Sequence, residues 1–263
     1  MPRAARPASV QPAYVLHRYD WSETSLILDL FTRGLGRVAV AAKGAKRPYS
    51  QLRSVLLPFQ RLQVSLSRPR EADAAEVQTL RQAEWAGGHP MLAGAALFTG
   101  FYLNELLMKL LGREDPHPRV FDAYADTLTA IAAGAETEQP ALRAFELVLL
   151  REIGVLPELS TVTADGRAVQ AEAPYLLRAD AGVWRAQGGT EAGLRGATLQ
   201  ALEAALAGGD LPALQAACAL EPAALKLQVR ALLHYHLGSS HLRSRQVMLD
   251  MQRLADRSPL PAR

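Results

Sequence analysis

Two stretches decide the fold class: Ser25-Leu26-Ile27-Leu28-Asp29-Leu30-Phe31 and Arg37-Val38-Ala39-Val40-Ala41-Ala42-Lys43. In the first, Leu26, Leu28 and Leu30 share one face, with Ser25, Ile27, Asp29 and Phe31 on the other. In the second, Val38, Val40 and Ala42 face a core, and Arg37, Ala39, Ala41 and Lys43 face outward. A period of two is the signature of half-buried strands. Arg61 to Ser67 repeats it, with Leu62, Val64 and Leu66 inward. Tyr14 to His17 and Ala75 to Gln82 supply two more strands, and Gly34, Gly36, Gly44, Pro48, Pro58 and Pro69 punctuate the series. Five short strands in so short a stretch suit a closed barrel, which leaves no sheet edge exposed.

Downstream the period becomes helical. Leu103, Leu106, Leu107, Leu110 and Leu111 form one apolar stripe, ended by Gly112 and by Asp115-Pro116-His117-Pro118. Phe121, Tyr124, Leu128 and Ile131 mark a second helix. Leu142, Phe145 and Leu149 mark a third, which opens after Pro140 and closes at Gly154. Residues 158–193 fit neither period and read as an irregular insertion or a small hairpin module around Tyr175 to Leu177. Helices resume near Leu194, with Leu225, Val229, Leu232, Leu233 and His236 on one stripe and Val247, Met251 and Leu254 on a last one. The reading is an α+β chain: a five-stranded barrel over 1–83, helical segments over 84–157 and 194–263, and a lobe over 158–193.

Charge is segregated along the chain. Residues 1–80 carry twelve Lys/Arg against six Asp/Glu, and residues 81–224 carry ten against eighteen. Between Leu30 and Arg70 there are nine basic residues and no acid. Such a surface suits a polyanion, because neutralising phosphates releases condensed counterions; it also suits a solvated face that balances the acidic middle. The loop Lys43-Gly44-Ala45-Lys46-Arg47 follows a strand whose outward face shows Arg37 and Lys43. The candidate contacts are Arg33, Arg37, Lys43, Lys46, Arg47, Tyr49, Arg53 and Arg61. Small barrels bind single strands by combining cations with stacking aromatics, and the aromatics available are Tyr14, Tyr19, Trp21, Phe31 and Tyr49. Phe31 is placed either to stack on a base or to pack against the helical part, whereas Tyr49 sits in the basic loop. Near the C-terminus, Arg243 and Arg245 either extend the path of a nucleic acid or pair with the acidic bundle.

Enzyme signatures are missing. There is no phosphate-cradling glycine loop of Walker or Rossmann spacing and no Gly-x-Ser-x-Gly elbow. His234 and His236 are two apart on a helix and do not share a chelating face. The lone Cys218, among alanines, reads as a buried inert thiol and excludes a disulfide framework. No apolar run reaches the roughly 18–20 residues that span a bilayer, and the charged start, Met1 to Pro7, lacks the apolar stretch of a secretory signal. A cytoplasmic, membrane-independent protein without catalytic residues is expected.

The residues also resemble a family. Ala13-Tyr14-Val15-Leu16-His17-Arg18, Glu23-Thr24-Ser25-Leu26-Ile27-Leu28-Asp29-Leu30-Phe31-Thr32, Ala42-Lys43-Gly44-Ala45-Lys46-Arg47 and Leu57-Pro58-Phe59 are similar to the opening of the RecO family of recombination mediators. Tyr102-Leu103-Asn104-Glu105-Leu106-Leu107, Glu114-Asp115-Pro116-His117-Pro118, Leu142-Arg143-Ala144-Phe145-Glu146, Gly154-Val155-Leu156-Pro157 and Tyr235-His236-Leu237-Gly238 continue the likeness. The resemblance implies an oligonucleotide/oligosaccharide-binding (OB) barrel followed by a helical domain. It implies binding of single- and double-stranded DNA at the nucleoid, annealing of complementary strands, and help in loading recombinase onto strands coated by single-stranded-DNA-binding protein (SSB). The partners it implies are RecR and the acidic C-terminal tail of SSB. Many members carry a four-cysteine zinc module in the region corresponding to 158–193. This chain has no cysteine there; Val162, Asp165 and Trp184 lie where thiolates would be expected. Structural zinc needs four N/S ligands, so no zinc is expected. Two other readings fit parts of the pattern: an adaptor whose basic patches recognise acidic protein tails, and an RNA-binding barrel, which leaves the helical two-thirds unexplained.

Overall fold

The computed structural model describes residues 10–67, 77–88, 90–187, 193–238, 242–244, 246, 247 and 250. The chain forms two compact units, Met1–Ala132 and Ala133–Arg263. The switch from strands to helices comes near residue 85, but the first unit extends past it because two helices close on the strands.

The first unit is built on a closed barrel of β1 (Val10–Asp20), β2 (Leu26–Thr32), β3 (Gly36–Ala42), β4 (Leu62–Ser67) and β5 (Val77–Trp85), with α1 (Leu52–Val55) between β3 and β4. The order around the barrel is β1-β2-β3-β5-β4, with β1 pairing back onto β4. Only the β3–β5 contact is parallel. β1 is longer than the sequence suggests because it serves two neighbours: Val10 to Ala13 pair with β4, and Ala13 to Asp20 pair with β2. A bulge between Val15 and His17 bends it, as barrel closure requires. β5 runs three residues beyond its expected end, to Trp85.

The alternation places Leu28, Leu30, Val38, Val40, Ala42, Leu62, Val64 and Leu66 inside the barrel. The other face of β2 and β3 is a different matter. Asp29, Phe31, Arg37, Ala39 and Ala41 are also buried, because the helices cover that wall. α2 (Ala95–Leu110) packs against β1, and α3 (Pro118–Ala133) brings Phe121 and Tyr124 against the barrel. Phe121 lies with its ring centroid 5.3 Å from Tyr14 and 5.4 Å from Phe31. Of the two placements open to Phe31, the structure selects packing against a helix. At Gly36 (φ +69°), a β-carbon would stand 2.1 Å from the Asp115 carbonyl oxygen, so only glycine allows the loop after α2 to lie on β3.

In the second unit, α4 (Ala135–Glu152) is the central helix, touching α6 (Leu211–Cys218) and α7 (Pro222–Leu237). It starts before Pro140 rather than after it. Pro140 lies near the N-terminal end, where its missing N–H removes a single bond, that to the carbonyl of residue 136. Between α4 and α5 (Gly196–Gly208), β6 (Pro174–Arg178), β7 (Gly182–Arg185) and β8 (Leu194–Arg195) form a sheet in the order β7-β6-β8. Because β8 has only two residues, it leaves part of the β6 edge unpaired. Gln228 of α7 fills the gap: its Oε1 accepts from the Leu177 N–H at 2.7 Å and its Nε2 donates to the Tyr175 carbonyl at 3.4 Å. Asp210 caps α6 by accepting from the Ala213 N–H. Of the expected last helix, residues 243, 244, 246, 247 and 250 are helical, and Met251 and Leu254 lie outside the described residues.

Candidate nucleic-acid interface

The loop from Lys43 to Gln51 leaves β3 at the same barrel end as the β1–β2 turn. Three anchors hold it there. Ala45 is buried in the barrel core beside Leu56, with Leu52 and Val55 packed alongside. Gly44 N–H donates to Ser25 Oγ at 3.3 Å, and Lys46 N–H donates to the Thr24 carbonyl at 2.9 Å. Arg47 N–H closes a turn onto the Gly44 carbonyl at 3.1 Å. Side chains on this loop are therefore presented from a fixed backbone.

Lys43, Arg47 and Arg53 are exposed, and among the described residues none forms an ion pair with them. Tyr49 between them is 99% exposed. These four side chains form the available part of the candidate site. Lys46 belongs to the same loop, but its Nζ donates to the Ser22 carbonyl and meets Asp20 Oδ1, each at 3.0 Å.

The remaining basic residues are placed differently. Arg37 is not outward-facing as the alternation suggests: it is 8% exposed. Its Nε and Nη2 donate to the two oxygens of Asp29 at 3.1 and 3.2 Å, and its Nη1 donates to the carbonyls of Leu111 and Met108. The guanidinium thus satisfies the open carbonyls at the C-terminus of α2, where a cation is favoured by the helix dipole. Period two assigned the face correctly but could not show that a helix end covers it. Arg33, in the β2–β3 turn at the opposite barrel end, pairs with both Asp122 oxygens at 2.9 Å. Arg61 is exposed near α3 and acts electrostatically on Asp126. Burial and the neighbouring Asp122 push the Asp126 carboxyl upward, and Arg61 opposes them. Arg243 is exposed in the second unit, and Arg245 lies outside the described residues. The acids that claim Arg33 and Arg37 come from distant sequence positions or from across a hairpin, which a one-dimensional count of charges does not reveal.

Family comparisons agree along the chain. The profile of Recombination protein O N terminal matches residues 8–89, and that of Recombination protein O C terminal matches residues 92–246. The chain belongs to the RecO family. It is 52% identical over 253 residues to the DNA repair protein RecO of Polaromonas naphthalenivorans (strain CJ2), covering 95% of this chain and all of that one (100%). It is 50% identical over 246 residues to the RecO of Polaromonas sp. (strain JS666 / ATCC BAA-500), covering 93% and 97%. With the RecO of Variovorax paradoxus (strain S110) it shares 49% identity over 261 residues, covering 95% and 99%. Membership of the RecO family assigns the chain a role in DNA repair and recombination, and the family is named for repair rather than for a catalysed reaction. No helix among the described residues is long and apolar enough to cross a membrane.

The four-cysteine module expected from the family resemblance has no cysteine to build it between residues 158 and 193. Val162 and Trp184 cannot ligate a metal, and no group of three or more His, Cys, Asp or Glu among the described residues is arranged to hold one. Cys218 lies in α6, fully buried, and burial pushes its thiol up to about 12.

Proposed function

We propose that this RecO-family chain is a non-catalytic recombination mediator acting at the nucleoid. It binds single- and double-stranded DNA through the barrel of residues 1–83, anneals complementary strands, and helps load recombinase onto SSB-coated strands. RecR and the acidic C-terminal tail of SSB are its protein partners, and the lobe over 158–193 works without zinc. The observation that carries the reading is the pinned loop, on which Lys43, Arg47 and Arg53 form no ion pair with any described residue and flank an exposed Tyr49. Cations held on a fixed backbone contact phosphates without reading sequence. They serve single strands and duplexes alike, which an annealing protein needs.

The test is binding of oligonucleotides of unrelated sequence across a salt series by the chain and by K43A/R47A/R53A. Affinity is expected to fall for all sequences, and the slope of log K against log salt to flatten by roughly two to three. Unchanged affinity and slope would remove the loop from the DNA site. Calorimetry with an acidic peptide at the same salt separates this reading from an adaptor that binds acidic tails, since the adaptor would prefer the peptide.

A further inference from the structure

Beside the basic loop stands an aromatic group that phosphate binding does not use. Beyond the bulge in β1, residues His17 to Asp20 are all exposed, and this part of the strand pairs only with β2, through Tyr19↔Ile27 and Asp20↔Leu26. β2 goes on pairing with β3 here, through Leu26↔Ala42 and Ile27↔Ala41, so the β1–β2 turn stands at the end of the barrel wall beside the loop that leaves β3. Tyr19 is 43% exposed and Trp21, at the turn, is 56% exposed. Single exposed aromatics are ordinary on protein surfaces. Here two of them share the end of β1 and its turn, and three further features constrain them.

The Tyr19 ring is buttressed: His17 lies 4.4 Å away, edge-on at 65°. The turn is fixed, since Trp21 and Ser22 N–H groups both donate to the Ser25 carbonyl. It is also fastened to the basic loop. Lys46 reaches across by its backbone N–H to Thr24, by its Nζ to the Ser22 carbonyl, and by charge to Asp20. Trp85 differs, with its indole N–H engaged by Gln60 Oε1 at 3.1 Å.

We infer that Tyr19 and Trp21 form a base-stacking platform beside the cations, which makes this end of the barrel selective for single strands. The inference rests on the DNA-binding reading and refines it. In a duplex the base faces are covered by their neighbours; in a single strand they are free to stack on aromatic rings. Lys43, Arg47 and Arg53 hold phosphates in either case. Lys46 is a positioning residue, whose charge locks the β1–β2 turn to the loop.

Oligo-dT and a duplex are titrated at one salt, then across a salt series, against Y19A, W21A, W21F and K46A. Stacking is worth about 1–3 kcal/mol per base, so Y19A and W21A should each weaken oligo-dT binding by roughly fivefold to a hundredfold. Duplex affinity should move less than about twofold, with W21F close to the parent and the salt slope unaltered, because no phosphate contact is lost. K46A should also weaken oligo-dT binding without changing the slope; a slope reduced by about one would make Lys46 a phosphate contact instead. In the full chain carrying W85F/W184F, Trp21 is the remaining tryptophan, and oligo-dT should quench its emission while duplex does not. If Y19A and W21A keep full affinity, or saturating oligo-dT leaves Trp21 emission unchanged, the platform is wrong. The DNA site itself still stands if K43A/R47A/R53A loses binding, and falls with the platform if it does not.

Discussion

Arg37 and Asp29 form a buried ion pair on the outer wall of the barrel, with Nε to Oδ1 at 3.1 Å and side-chain exposures of 10% and 2%. They stand on the adjacent strands β3 and β2, diagonally across the pair, with Asp29 opposite Ala39 and Arg37 opposite Phe31, and the same guanidinium reaches the Leu111 carbonyl at 2.8 Å. Removing one partner of such a pair leaves an uncompensated charge in a dry environment, at a cost of about 3–5 kcal/mol. D29A and R37A are therefore expected to lower the urea midpoint by a large fraction of total stability. R37A should bind DNA, where folded, with an unchanged salt slope, which separates its structural role from that of Lys43 or Arg47.

A polar chain links α3, α2 and β1. The Tyr124 hydroxyl donates to Asn104 Oδ1 at 2.6 Å, and Asn104 Nδ2 donates to the Leu16 carbonyl at 2.9 Å. All of it is buried. N104L would strand the Tyr124 hydroxyl and the Leu16 carbonyl, and should cost about 1–3 kcal/mol for each group left without a partner. Chemical denaturation with a circular-dichroism readout checks this.

The same tyrosines set an alkaline limit. Burial pushes Tyr14 up to about 12 and raises Tyr124 well above its ordinary value. A folded-state value above the unfolded one means that the folded form favours the neutral phenol. The stabilisation is fully present below the unfolded value near ~10 and is lost as pH rises through the folded values. The melting temperature should thus be insensitive to these groups at neutral pH and fall progressively above about pH 10. Y14F should make that fall shallower; an identical alkaline profile would count against the assignment.

Cys218 is fully buried in α6, and its thiol, pushed up to about 12, is almost entirely protonated at neutral pH. The thiolate is the reactive form. A chromogenic disulfide reagent should leave the native chain unlabelled over hours and react at once in denaturant. Rapid labelling of native chain would show that α6 opens or that the site is less buried.

Among the described residues no group of three or more His, Cys, Asp or Glu is arranged to hold a metal, and the sheet of the lobe is joined to α7 by Gln228. Chelator should leave the melting temperature unchanged. Q228A should lower stability by about 1–3 kcal/mol, since it leaves the Leu177 N–H and the Tyr175 carbonyl unmatched. A drop of melting temperature in chelator would point to a metal in this lobe.

Much of the fold is legible in one dimension because alternation and helical spacing are local properties. Leu28 and Leu30, Val38 and Val40, and Leu62 and Val64 announce the barrel interior without any knowledge of what surrounds it. Phe121, Tyr124, Leu128 and Ile131 announce a helix face in the same way. Glycine and proline punctuation misled only where position matters more than identity, as at Pro140, whose effect depends on how near a helix end it stands.

The candidate site was legible less fully. Composition marked the basic segment from Leu30 to Arg70, and that segment contains Lys43, Arg47, Tyr49 and Arg53. It could not separate them from Arg33, held by Asp122, from Arg37, buried against Asp29 and the end of α2, or from Lys46, spent on Asp20 and Ser22. By itself, then, the sequence determined the strand and helix faces, the family and the sign of the surface charge, because each is carried by neighbouring residues. Only the tertiary structure decided which cations are free to meet a phosphate, because a charge is neutralised by whatever lies beside it in space, and those partners are up to 89 residues away along the chain.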